Sequence, residues 1–221
     1  MSKPAVESVE IKACRGISGG NCRFAMPSDD TLPEAIKKVV EQTGWDGFIR
    51  TQITGPLLHH HTFKVAVAAC PNGCSRPHIA DIGIIRAKQP VLIASACSHC
   101  GLCGRICPDK AISYNQGEPV FDLEQCMKCG LCMEKCPERA ISASEDGYRV
   151  VLGGKLGRHP RLATELGGIF CKEQVLAIIA ECLFYYMEQY RPKLRFGTLV
   201  DDNYKSLMQR LEMAKAVQCK G

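Results

Sequence analysis

The chain has 221 residues, 46% of them apolar and 23% charged, with a formal net charge of +5 and fifteen cysteines. That length supports one substantial core plus a small satellite domain, and the dispersed basic residues, without a basic helix or aromatic-basic interleaving, argue against nucleic acid as a partner. No stretch approaches the roughly 20 apolar residues needed to cross a bilayer, and no signal-peptide pattern opens the chain. Heavy cysteine usage without those features reads as metal ligation in a reducing cytoplasm rather than as extracellular disulfides.

In chain order, residues 8–13 (SVEIKA) predict a short strand that runs into Cys14. A glycine-rich loop carrying Gly16, Gly19 and Gly20 leads on to Cys22. A helix is expected from Thr31, with Thr31 and Glu34 as a capping box, Ile36, Val39 and Val40 as its apolar stripe, and a stop near Gly44. Residues 48–54 read as another strand, broken at Gly55-Pro56. Three adjacent histidines follow, His59, His60 and His61. Neighbouring side chains diverge and the H-E-x-x-H spacing of a zinc hydrolase is missing, so the run suits an anion contact or packing better than a metal. Residues 63–69 predict a buried strand delivering the chain into Cys70-Pro71-Asn72-Gly73-Cys74.

From Cys97 the chain reads Cys97-x2-Cys100-x2-Cys103-x3-Cys107-Pro108. It repeats as Cys126-x2-Cys129-x2-Cys132-x3-Cys136-Pro137. This is the run of a bacterial two-cluster ferredoxin, in which each arc supplies three thiolates to one cubane and the other arc supplies the fourth. On that rule Cys97, Cys100, Cys103 and Cys136 hold one [4Fe–4S] cluster, and Cys126, Cys129, Cys132 and Cys107 hold the other. Ala111-Ile112 and Ala140-Ile141 extend the duplication, and Asn115-Gln116-Gly117 signals a turn between its halves. Beyond the insert, residues 150–152 predict a strand. Two packing helices are expected at 172–190 and 202–217.

Four further cysteines form two pairs, Cys14 with Cys22 and Cys70 with Cys74. Each follows a predicted strand, a good way to present thiolates from loops on a rigid frame. By themselves they could hold zinc, a [4Fe–4S] cluster, or nothing; beside two clusters, iron–sulfur outranks zinc. Cys171, Cys182 and Cys219 read as ordinary thiols.

The run from Ala69 to Gly83 resembles the segment carrying the second cysteine pair in sulfite and nitrite reductases. The run Gly153-Gly154-Lys155-Leu156-Gly157-Arg158-His159-Pro160-Arg161 is similar to that family's glycine-rich basic segment. An inserted ferredoxin resembles its dissimilatory and anaerobic branches. The resemblance implies an α+β fold: a sirohaem/[4Fe–4S] half-domain over 1–90 and 149–221, with a ferredoxin domain at 91–148 inserted. It implies that Cys14, Cys22, Cys70 and Cys74 ligate a third [4Fe–4S] cluster, with Cys74 shared with sirohaem, and that Arg76, Lys155, Arg158 and Arg161 balance the charge of that cofactor. The gap of seven residues between Cys14 and Cys22 is longer than the family's usual one. Family members also carry a further ferredoxin-like portion ahead of the first pair, where about a dozen residues stand here. A second copy or a partner redox subunit is therefore expected to complete the sirohaem pocket.

The implied function is an oxidoreductase taking electrons from a donor such as ferredoxin, through the paired clusters and the third, to reduce sulfite or nitrite. The main rival is a sirohaem-free electron-transfer subunit serving a partner enzyme. A sirohaem protein with another substrate, or one that handles the cofactor, is a third class. Catalytic residues are not identified by sequence alone.

Overall fold

The computed structural model describes residues 6–219; residues 1–5 and 220–221, the outermost ends of the expected 1–90 and 149–221 unit, lie outside the described residues. The chain enters through β1 (Val9–Ala13), makes α1 (Leu32–Gln42) and α2 (Trp45–Gln52), and returns as β2 (Phe63–Ala68). β1 and β2 are parallel, and a parallel pair needs a crossover of this kind. A 3-10 turn at Pro77–Ile79 then leads into β3 (Ile82–Leu92), parallel to β2.

Leaving β3, the chain forms α3 (Leu102–Ile106), the hairpin β4 (Ile112–Asn115) and β5 (Glu118–Phe121), and α4 (Leu131–Glu134). Gln116 and Gly117, between the hairpin strands, both have positive φ, as a tight two-residue hairpin turn requires. β6 (Ile141–Leu152) lies antiparallel to β3 along its whole length, from Ile82 opposite Leu152 to Leu92 opposite Ile141. The register shifts between Gln89 and Pro90, where proline has no N–H to give to a regular ladder. The cysteine-rich segment is thus strung between two partnered strands. It is also tied to them by backbone bonds from Lys88 N–H to Lys128 O (2.9 Å) and from Ile93 N–H to Ala140 O (2.8 Å).

A short β7 (Thr164–Glu165) completes the sheet, whose order is β1-β2-β3-β6-β7. Three helices follow: α5 (Lys172–Glu188), α6 (Phe196–Asp202) and α7 (Tyr204–Lys215). One face of the sheet builds the core, where Val65, Val67, Ile82, Ile84, Val150 and Leu152 meet Leu32, Ile36, Trp45, Val175, Ile178 and Ile179. Each such side chain contributes about 1.5–3 kcal/mol when fully buried. Trp45 anchors the crossover by donating its indole N–H to Ser8 O at 2.9 Å; Tyr186 stacks on its ring, Phe63 packs tilted against it, and Phe196 lies edge-on to both Phe63 and Tyr186.

Several local expectations are corrected. Residues 48–54 are not a strand: Trp45 and Ile49, four apart, are the buried face of α2. The helix expected at 202–217 is α7, which starts at Tyr204 after a break at Asn203, and the short α6 ahead of it was not expected. Thr31 makes no side-chain cap; Asp29 instead accepts its N–H at 2.8 Å. Among the described residues no helix is long and apolar enough to cross a membrane.

Candidate functional site

Alternation along β1 and β2 sends Ile11, Val65 and Val67 into the core and turns Lys12, Lys64 and Ala66 to the opposite face. Over that face lies a cavity of about 420 Å³. The strap Ser75 to Asp81 and the loop Gly154 to Gly157 close two of its sides, while Tyr186, Arg195 and Phe196 form a third. Two glycines let these straps approach. A Cβ at Gly83 would stand 2.4 Å from Pro77 O, and one at Gly154 would stand 2.5 Å from His78 O, so both positions require backbone without a side chain.

The lining is strongly basic. Lys12, Lys64, Arg76, Lys155 and Arg195 face two acids, Glu10 and Asp81, with His60 and His61 at one edge. Ser75 is 2% exposed, and its hydroxyl is the buried side-chain polar group without a hydrogen-bond partner among the described residues. A buried hydroxyl left unpaired costs about 1–3 kcal/mol, a cost that an acceptor in the pocket would remove. Asp81 takes the Lys64 N–H on its carboxylate at 2.8 Å. Burial pushes its carboxyl up to about 6, against the pull of that hydrogen bond and of the charges on Arg195 and Lys64. Burial, with the neighbouring His60, pushes His61 down, and its Nδ1 accepts Leu58 N–H at 3.1 Å.

Of the four basic residues singled out from the sequence, Arg76 and Lys155 line this pocket. Lys155 is braced by Thr198 at 3.2 Å and Asp201 at 3.4 Å. Arg161 is consumed in structure: it donates to Gly153 O, Gly197 O and Thr164 Oγ1 and pairs with Asp201 at 2.8 Å. Arg158 is exposed on the loop and makes no ion pair among the described residues. Sequence reasoning missed Lys12, Lys64, Ser75, Asp81 and Arg195. Lys12 and Lys64 were findable, since each sits off the apolar register of a predicted strand.

The cysteines fall into three neighbourhoods. Cys14 follows β1 and Cys70 follows β2; Ala69 N–H donates to Cys14 Sγ at 3.2 Å. Burial first, and then the nearby Cys14, Cys22 and Cys74, push the Cys70 thiol up. In the insert, Cys97, Cys100, Cys103 and Cys136 line one small hollow, and Cys107, Cys126, Cys129 and Cys132 line another. Burial pushes the Cys126 and Cys129 thiols up and Cys132 to about 12.

Grouping is not ligation. Among the described residues no set of three or more His, Cys, Asp or Glu side chains could hold a metal ion. The expectation of three [4Fe–4S] clusters with sirohaem is therefore corrected, since no such set is found among the described residues. Cys171 and Cys219, expected as ordinary thiols, form a disulfide across 48 residues of sequence. Cys182 is buried and free.

The family profile "Nitrite and sulphite reductase 4Fe-4S domain" matches residues 52–203. The chain belongs to that sulfite and nitrite reductase family of iron–sulfur oxidoreductases. It is similar to the coenzyme F420-dependent sulfite reductase of Methanocaldococcus jannaschii, 42% identical over 146 residues, which cover 66% of this chain and 21% of that protein. It is also similar to one of the anaerobic sulfite reductase polypeptides of Salmonella typhimurium, 27% identical over 108 residues, 49% of this chain and 27% of that one. The chain thus spans about a quarter or less of the length of these relatives.

Among solved structures, dissimilatory sulfite reductase I shares the fold with a TM-score of 0.61 at 16% identity, over 97% of this chain and 55% of that one. The NirA protein of Mycobacterium tuberculosis gives 0.50 at 18% identity, over 90% and 26%. The fold is accordingly the mixed α+β fold of the sulfite and nitrite reductases.

Proposed function

We propose that this chain reduces a small sulfur or nitrogen oxyanion, sulfite or nitrite, held in the basic pocket over β1 and β2. The observation that carries the reading is the lining itself: five cations and an unpartnered buried hydroxyl converge on one cavity. An oxyanion there would accept hydrogen bonds from Ser75 and Arg76, while Lys12, Lys64 and Arg195 balance its charge. Cations fixed in place before reaction stabilise negative charge that grows on oxygen as electrons arrive. Arg76 and Lys155 are the sequence-derived candidates that keep this role, and Arg161 shapes the loop beside it.

Electrons would come from a low-potential one-electron donor such as a ferredoxin. The cysteine-rich insert, proposed as a ferredoxin-like domain, would be the part of the chain at which such a donor docks. A second copy or a partner redox subunit would close the open side of the pocket. Exposed Leu156, on the loop that lines it, supports a covered face there. The second reading is an electron-transfer subunit without substrate. Two cysteine quartets, each around its own hollow, favour it.

Titration calorimetry of the anaerobically prepared protein with sulfite or nitrite separates the two. The reductase reading expects saturable binding that weakens about tenfold in Arg76→Gln, the loss of one charged hydrogen bond. An electron-transfer subunit would bind neither anion.

A further inference from the structure

We propose that the basic pocket takes up a proton together with its anion, and that Asp81 is where the proton resides. The inference rests on the oxyanion reading of the same pocket and adds to it a linkage between binding and pH. Asp81 belongs to the pocket wall, with Ser75 on the strap that leads to it. Its carboxyl accepts one hydrogen bond, from Lys64 N–H at 2.8 Å, and among the described residues it makes no ion pair within 4.0 Å.

Charged and titratable groups share the pocket with it: Glu10 and Lys12 on β1, Lys64 on β2, Arg76 on the strap, and Lys155 on the loop. Tyr186 on α5 and Arg195 before α6 also line it, Arg195 close enough for its charge to act on Asp81, with His60 and His61 in the same lining. An anion seated among these cations would lie beside a carboxylate in a partly enclosed site, where like charges repel strongly. Protonation removes the repulsion and turns the carboxyl into a donor, so that Asp81 and Ser75 together offer two O–H groups to one anion. The burial that already favours the neutral carboxyl makes the uptake easier.

Sulfate is the suitable probe, because its charge is fixed where Asp81 titrates. Calorimetry in buffers of different ionisation enthalpy counts the protons bound with it. A background of His60→Gln and His61→Gln removes the histidines from the count. In that background the expected result is uptake of about one proton per sulfate above the Asp81 midpoint, with affinity falling about tenfold per pH unit. Asp81→Asn should bind sulfate with no such uptake and with affinity independent of pH between about pH 5 and pH 8. Equal proton counts and equal pH slopes with and without Asp81→Asn would overturn the proposal while leaving the pocket an anion site. The proton count of the Asp81-containing protein stands whether or not the variant folds, and a count of zero is equally fatal. Failure of sulfate to bind at any pH would overturn both this proposal and the oxyanion reading.

Discussion

At the scale of single residues, the pocket depends on which side of a strand a charge falls. Lys12 and Lys64 were legible in principle, because a period of two places them opposite Ile11 and Val65. Ser75, Asp81 and Arg195 were not, since their meeting depends on how the strap folds back over the sheet and on the approach to α6. Asp81 also carries a stability prediction. Its folded-state carboxyl sits at about 6, above its ordinary 3.8. Below both values it is protonated in folded and unfolded chains alike and has no effect. As pH rises from about 4 to about 6, the unfolded chain loses its proton first, so folding stability falls by up to about 3 kcal/mol and then levels off. Urea unfolding midpoints measured across that range should show the wild type losing up to about 3 kcal/mol relative to Asp81→Asn, whose other titrating groups are the same. A parallel pH dependence in the two proteins would contradict it.

Elements were legible where apolar spacing was strong. α1, α5, β1 and β2 follow their sequence patterns closely. Residues 48–54 misled because a short mixed run fits a period of two as readily as 3.6. Trp45, just ahead of that run, settles the matter by reaching Ser8 O and pulling the turn into the core. β6 runs much further back than its expected three residues, since the apolar signal fades over 142–146 while the ladder with β3 continues. The strap over the pocket depends on a close approach that sequence shows only as a glycine. A Cβ at Gly83 would meet Pro77 O at 2.4 Å and Val151 Cγ2 at 2.6 Å. Gly83→Ala should therefore displace the strap at a cost of about 1–3 kcal/mol and weaken anion binding together with stability. Thermal unfolding and sulfate titration of the same sample would reveal it, and an unchanged pair of values would show that the strap does not depend on this contact.

For the whole molecule, two cysteine arcs strung between β3 and β6 place each expected quartet around its own hollow. What spacing could not supply was whether the thiols converge, and among the described residues no set could hold a metal ion. The disulfide between Cys171 and Cys219 was equally beyond a linear reading, because it depends on α7 packing back against α5. Such a bond is uncommon in a reducing cytoplasm. Family and fold, by contrast, were carried by the runs around Cys70 and Gly153, and the profile match spans both.

The most direct measurement is consumption of sulfite or nitrite by the anaerobic protein supplied with a low-potential one-electron donor, compared between wild type and Arg195→Gln with folding checked by circular dichroism. The expected result is turnover in the wild type, inhibited by sulfate, and a loss of about tenfold or more in the variant. Turnover indifferent to both sulfate and Arg195 would contradict the assignment of the pocket as the place where the anion is reduced.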